Sequence, residues 1–362
     1  MNRSDYICIV LYKYGNSYAL WISIIILCGL IGCKQNNYQP MAEYSGYTQG
    51  TTYHIVCDST HVGLDNEIEK LTRDLDHSIS CWDSLSLVSK FNRSASGIFV
   101  DQYFVEVFML SKRIHNETEG AFNPAIYPIK QFINAPPVAK NDSTTKKTMT
   151  VDSLLRFTRF SDITLNTNAS DSLGKGSKFV AKRHPKNGLD FQGIAQGYTA
   201  DMVSKLLDSK NIANYMIQVG GTTRTKGTDW HKKNWETSLD KPTPAGELRV
   251  IESIVPIGEN AVSITGDYRE SYEKDGKRFN TSIDPTTGKM TENTLLNAYV
   301  FAPAAAEAEA YATAFMVMGA GKSTQFLSKR KELKAYLISS GFDKDFLTWM
   351  SPELQKQIEQ SK

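Results

Sequence analysis

The 362-residue chain reads as an α+β protein with antiparallel sheets and packed helices. Two helix-periodic stretches come early, a run of short strand-like segments follows, and an alanine-rich helical stretch comes late. That order, without regular strand–helix alternation, argues against a doubly wound parallel sheet. Hydrophobic residues make up 41% and charged residues 22%, enough for a large core in one large domain or two closely joined ones. A formal charge of +2, with Lys and Arg dispersed along the chain, excludes a nucleic-acid binder and points to a small-molecule or protein substrate.

At the N-terminus, Arg3 and Lys13 flank an apolar run from Ala19 to Ile31, short for a membrane span and suited to a signal-peptide core. It closes on Leu30-Ile31-Gly32-Cys33, which resembles the bacterial lipobox, where cleavage precedes a cysteine that then carries lipid. A plain membrane anchor is the competing reading. Residues 1–32 are therefore expected as a lipoprotein signal peptide and 33–43 as a tether lipidated at Cys33. A folded domain follows over 44–340 and a C-terminal extension over 341–362, on the periplasm-facing side of the cell envelope. Cys57 and Cys81 then remain, and pairing and free thiols both stay open. No CxxC pair or zinc-like histidine spacing is present.

The β-branched run within Tyr44 to Cys57 predicts a strand. Ile68, Leu71, Leu75 and Ile79 predict a helix over Asn66 to Ile79, and Val105, Phe108, Met109 and Lys112 share a face of one over Gln102 to Glu117. Pro136 to Lys147, rich in Pro, Lys, Asn, Ser and Thr, reads as an exposed excursion. A helix over Ala195 to Leu207 leads to strands at Tyr215 to Val219 and Thr222 to Lys226. Further strands are expected at Trp235 to Leu239, Leu248 to Val255, Ala261 to Thr265, Lys277 to Ile283 and Leu295 to Phe301, then a helix over Ala304 to Met318.

Five clusters could carry chemistry. Asp190 to Asp201, DFQGIAQGYTAD, places a carboxylate and two glycines at a helix start, where backbone amides and close approach suit a phosphate; an ordinary helix start would read the same. Gly120-Ala121-Phe122-Asn123-Pro124 could surround a flat ligand or merely end a helix. Val219-Gly220-Gly221 admits a ligand or a tight turn. Thr265-Gly266-Asp267-Tyr268 and Phe279 to Gly288 include the turn former Asp284-Pro285-Thr286-Thr287-Gly288. Glu309 and Thr313, four apart, offer two oxygens on one helical face to a hard cation.

Together with Gly50-Thr51-Thr52-Tyr53, the Ser80 to Asn92 run and Ala308 to Gly319, the order and spacing of these clusters resemble the ApbE family of bacterial flavin transferases. The resemblance covers about Tyr44 to Ser339. It implies a two-lobed fold, Mg²⁺ as cofactor and FAD as substrate, with transfer of FMN to a threonine or serine of an acceptor protein and release of AMP. It also implies flavin or adenine contacts at Gln49, Trp82, Ala121, Phe122, Asn123, Asp190, Gln196 and Asp267. The metal would take the Gly193 carbonyl with the side chains of Glu309 and Thr313. Where most of the family has a histidine, this chain has Thr281, which cannot act as a base near neutral pH. Glu309 replaces an aspartate, Asn123 an aspartate, Thr222 an acidic residue and Gln196 a lysine. Asp284 is the candidate substitute base or orienting carboxylate. A flavin-binding lipoprotein without transferase activity and an FAD pyrophosphatase are the alternatives these departures raise.

Overall fold

The structure is a computed structural model that describes residues 40–58, 61–134, 150–170, 176–243, 247–248, 250–266, 268, 272–274, 277–341 and 345–361. The expected signal sequence, Cys33, the Pro136 to Lys147 excursion and Asp267 lie outside them.

The stretch expected as one strand is two. β1 (Met41–Thr48) and β2 (Thr51–Asp58) form a hairpin. Gln49 and Gly50 adopt φ of 50° and 74°, the left-handed pair that closes a two-residue hairpin loop. The first described strand thus begins at Met41, inside the expected tether. α1 (Leu64–Ile79) and α2 (Leu87–Arg93) follow, the second capped by Ser86, whose hydroxyl accepts the Ser89 N–H at 3.0 Å. After β3 (Gly97–Val100), α3 (Gln102–Glu117) buries Phe104, Val105, Val107, Phe108, Ser111 and Ile114. Met109 is exposed, so the buried face lies toward Phe104 instead of Met109 and Lys112.

Two short helices, α4 (Tyr127–Ile133) and α5 (Val151–Leu155), precede β4 (Ile163–Ser170) and β5 (Gly176–Lys182). The antiparallel sheet β3-β5-β4 is a separate three-stranded sheet that packs into the same core as the main sheet. The chain continues with α6 (Ala195–Ser209), β6 (Tyr215–Val219), β7 (Thr222–Lys226), β8 (Glu236–Lys241), β9 (Val250–Pro256) and β10 (Ala261–Thr265). It continues through β11 (Tyr272–Lys274), β12 (Lys277–Phe279), β13 (Leu295–Ala302) and α7 (Ala305–Leu327). It closes with β14 (Lys334–Ser340), β15 (Phe346–Met350) and α8 (Pro352–Ser361). Its main sheet has the order β1-β2-β6-β7-β10-β13-β14-β15, antiparallel throughout. Residues beyond 340, expected as an extension, are therefore its edge strand and a packed helix.

Alternation along the strands gives the sheet two buried faces. Ala298, Val300, Ala335 and Leu337 join the main core with α6 and α7, while Tyr299, Phe301, Tyr336 and Ile338 join a second core with Leu239, Val255 and Leu354. The strand expected to reach Ile283 stops at Phe279. Asn280 turns inward there, donating from Nδ2 to the carbonyls of Leu295 (2.7 Å) and Met316 (3.2 Å). α7 breaks at Gly319, φ 75°, and Asn293 Nδ2 donates to the Met316 and Val317 carbonyls at the break, at 2.9 and 3.1 Å.

Pairing also decides where the loops meet. The Gly220 N–H donates to the Thr52 carbonyl at 3.1 Å and the Ile264 N–H to the Gly221 carbonyl at 2.9 Å. The 49–50 turn, the 220–221 turn and the end of β10 therefore share one end of the main sheet.

Candidate active site

The segment from Asp190 to Gln196 crosses that end. The Asp190 N–H donates to the Pro124 carbonyl at 2.7 Å, and its carboxylate takes the Gln192 N–H at 2.9 Å and the Lys130 ammonium at 2.8 Å. Lys130 also donates to Gln192 Oε1 at 2.6 Å. Gln196 reaches the opposite way, its Oε1 accepting the Gly221 N–H at 3.4 Å. Gly220 has φ 55°, and a Cβ on Gly221 would stand 2.8 Å from the Ile264 carbonyl oxygen, so backbone conformation calls for the first glycine and close contact for the second.

The segment lines two cavities. One, of about 230 Å³, is formed by Gln49, Cys81, Trp82, Gln192, Ala195 and Gln196. The other, of about 220 Å³, includes Ala121, Phe122, Asn123, Lys130, Asp190, Gly193, Thr281 and Thr313. The structure thus gathers most of the residues expected from sequence at one place.

Within the first cavity, Gln49 is held by its own N–H, which donates to Asp76 Oδ1 at 2.8 Å. Burial keeps the Asp76 carboxyl above its usual range despite the donors from Gln49 and Thr48. Gln49 is only 4% exposed, yet its side-chain Nε2 finds no hydrogen-bond partner among the described residues. A buried donor left that way costs about 1–3 kcal/mol, which an acceptor on a ligand would relieve. Trp82 lies against Gly50, where a Cβ would meet the indole at 2.4 Å, and is 67% exposed. An open indole beside an unmet amide suits a flat heterocycle.

In the second cavity, Asn123 is spent on structure. Its Oδ1 caps the turn at Ala125 N–H (3.0 Å) and its Nδ2 donates to the Thr158 carbonyl (3.1 Å). The Phe122 carbonyl sits 2.9 Å from His115 Nδ1, a ring that burial holds below its ordinary value and so neutral at pH 7.

Gly193, Thr313 and Glu309 supply oxygens only. A Cβ at Gly193 would lie 2.9 Å from Thr313 Oγ1, so the absence of a side chain lets the two elements touch. One turn back, Glu309 is buried and its Oε2 accepts the Gly197 N–H at 2.7 Å. Burial pushes its pKa up to about 8, with the Gly197 and Gln196 amides opposing and Asp201 adding to the rise. No group of three or more His, Cys, Asp or Glu side chains able to hold a metal lies among the described residues. A hydroxyl, a backbone carbonyl and one buried carboxylate are nonetheless the donor chemistry of a hard divalent cation, and Glu309 lacks a cationic partner among the described residues.

Asp201 mirrors Glu309. It accepts the N–H groups of Ala305 (2.9 Å) and Ala306 (3.0 Å), capping α7 as Glu309 caps α6, and it also binds Arg224 at 3.0 Å. Gly197 permits this interlock, since a Cβ there would stand 2.3 Å from the Ala305 carbonyl oxygen.

The structure separates Asp284 from Thr281. Thr281 is exposed and lines the 220 Å³ cavity. Asp284, expected as a substitute base or orienting carboxylate, accepts within its own turn, with Oδ1 on the Thr286 N–H (2.8 Å) and Oδ2 on the Thr287 hydroxyl (3.3 Å). It faces a neighbouring 560 Å³ cavity that includes Lys322, Lys329 and Arg330. Thr222 is buried, its hydroxyl 2.9 Å from that of Ser263. Cys57 and Cys81 are free thiols, and Cys81 Sγ accepts the Phe191 N–H at 3.3 Å. Lys130, Asp76 and Cys81 were not expected at the site; each is placed by tertiary contacts that no local pattern announces.

Residues 49–337 match the model of the ApbE family. The FAD:protein FMN transferase of Haemophilus influenzae is 29% identical over 350 residues, covering 93% of this chain and 97% of that protein. The enzyme of the same name from Escherichia coli K12 is 27% identical over 338 residues, covering 90% and 93%. Among solved structures, the flavin transferase ApbE from Vibrio cholerae superposes with a TM-score of 0.74 at 26% identity, covering 88% of this chain and 99% of that one. The Pseudomonas stutzeri flavinyl transferase ApbE, in its apo form, shares the fold with a TM-score of 0.73 at 21% identity. With a family match over most of its length and the same antiparallel α+β architecture, the chain belongs to the ApbE family.

Proposed function

We propose that this protein is an FAD:protein FMN transferase that depends on a divalent cation, Mg²⁺ being the fitting one. We further propose that it is tethered to a bacterial membrane through a lipidated Cys33, facing the periplasm. The observation that carries the reading is the unmet Gln49 amide beside Trp82, in a cavity that shares its wall with the oxygen donors at Gly193 and Thr313. Flat-ring and phosphate recognition thus adjoin in a chain 29% identical to a named transferase.

In the reaction, the hydroxyl oxygen of an acceptor threonine or serine bonds to the FMN phosphorus of FAD. The pyrophosphate bond breaks, AMP leaves with the bridging oxygen, and the hydroxyl proton passes to a base. Gln49 and Trp82 would hold the flavin nucleotide. Lys130 fixes Asp190 at the cavity wall, and Glu309, Thr313 and the Gly193 carbonyl would hold the cation. When bound, the cation neutralises charge building on the pyrophosphate. Thr281 cannot take the proton near neutral pH, so the acceptor of the proton would be Asp284, whose carboxylate is oriented by the Thr286 N–H and the Thr287 hydroxyl at a cavity wall.

Incubating the purified protein with FAD, Mg²⁺ and a threonine-bearing acceptor peptide should add one FMN mass to the peptide and release AMP. AMP and free FMN without peptide labelling would identify a pyrophosphatase. Bound FAD that stays intact with every divalent metal would identify a flavin-binding lipoprotein.

A further inference from the structure

Lys182, at the end of β5, carries a charge that the transfer chemistry does not use. It is 6% exposed. Its ammonium donates to four backbone carbonyls, those of Phe91 (2.9 Å), Asn92 (3.1 Å), Pro185 (3.1 Å) and Asn187 (3.0 Å), with the Phe91 ring centroid 5.0 Å away. No carboxylate among the described residues pairs with it. Burial lowers its pKa to about 8, which leaves it protonated at neutral pH, and the surrounding carbonyls favour that charged form.

An apolar side chain could fill this space but would leave the four carbonyls without their donor, so the ammonium supplies a tie that packing alone does not. What it does is join two segments that share no ladder, the end of α2 and the turn at 185–187. The Asn92 side chain extends the join, with Nδ2 donating to the Leu189 carbonyl at 2.8 Å and Oδ1 accepting the Leu189 N–H at 2.7 Å. The next residue is Asp190, which meets Lys130 at the cavity.

We infer that Lys182 is a positioning residue for the flavin site, an internal cation that clamps residues 187–189 onto α2 and so sets Asp190 against Lys130. The inference rests on the flavin reading of that cavity. The clamp acts through charge, not volume.

The test uses Lys182→Ala and Lys182→Met, with FAD binding measured by flavin fluorescence and amide exchange followed over residues 187–192. Both variants should stay folded, exchange faster in that segment alone, and bind FAD about tenfold or more weakly, as small displacements at such sites do. Propylammonium, which replaces the missing end of the lysine, should restore both properties to Lys182→Ala, and 1-propanol, its neutral counterpart, should restore neither. Equal rescue by 1-propanol, wild-type behaviour of Lys182→Met, or global unfolding of Lys182→Met would each overturn the inference. Wild-type protein that binds no FAD would instead overturn the flavin reading, while amide exchange and its rescue would still judge the clamp.

Discussion

Asp201 and Glu309 occupy equivalent places, and burial raises both carboxyls, but only Asp201 has a cation beside it. Each sits on one of two packed helices and caps the N-terminus of the other. Asp201 has Arg224 at 3.0 Å, whereas Glu309 has only amides and a neighbouring acid, and burial drives it up to about 8. Two carboxylates with the same structural task therefore differ in whether the protein completes their charge balance. The completed one belongs to the scaffold, and the incomplete one is the proposed cation ligand.

The widest expected split comes from neutralising each in turn. Glu309→Gln should lower metal-dependent AMP release by about a hundredfold while the metal-free protein stays folded and is as stable as the wild type at about pH 5 and below, because the amide still accepts the Gly197 N–H. Asp201→Asn should retain most activity and lose about 3 kcal/mol in urea unfolding, since Arg224 loses its carboxylate. Exchanged outcomes would break the comparison.

Stability against pH sharpens it. The folded Glu309 carboxyl titrates at about 8, above an unfolded value near about 4.3, so without metal the folded state binds an extra proton between those values. Its contribution to stability is present at low pH and is lost as pH rises through that window. Subtracting the urea midpoints of Glu309→Gln from those of the wild type should therefore give a difference that falls from pH 5 to pH 8. Mg²⁺ should flatten it, and a flat difference without metal would refute the assignment.

Smaller effects probe the interlock and the ligand wall separately. Gly197→Ala should cost about 1–3 kcal/mol, since its Cβ would press on the rigid Ala305 carbonyl. Trp82→Ala should weaken FAD binding by about tenfold, the low end of aromatic stacking, with unfolding unchanged. Gly321→Ala, at a helical glycine whose Cβ would meet nothing within 4 Å, should stabilise by up to about 1 kcal/mol.

Much of this was legible in the sequence, for reasons particular residues make clear. β6, β7 and β10 were expected at the bounds observed, because turn residues mark their ends. The hairpin at Gln49 was not, since a glutamine with positive φ sends no turn signal and β-branched residues continue beyond it. Asn280 ends β12 through bonds to Leu295 and Met316, partners that only the folded chain supplies. The site motif Asp190 to Asp201 was found, with site residues expected at Asp190, Gly193 and Gln196, but the interlock of Gly197 and Asp201 with α7 was not foreseen. Residues 190–196 line cavities, while Gly197 and Asp201 lock helices together. Lys130 and Lys182 were invisible because a single lysine in an otherwise apolar segment reads as a solvated one at an element's edge, and their roles depend on oxygens supplied by the folded chain.

The shared use of Glu309 gives the molecule a gauge of its own. One oxygen of that carboxylate holds the Gly197 amide at 2.7 Å, so whatever draws electron density from the carboxylate weakens that hydrogen bond. The Gly197 proton resonance should therefore move as cation enters, and a titration read at this one backbone signal would follow loading of the centre without substrate, turnover or label.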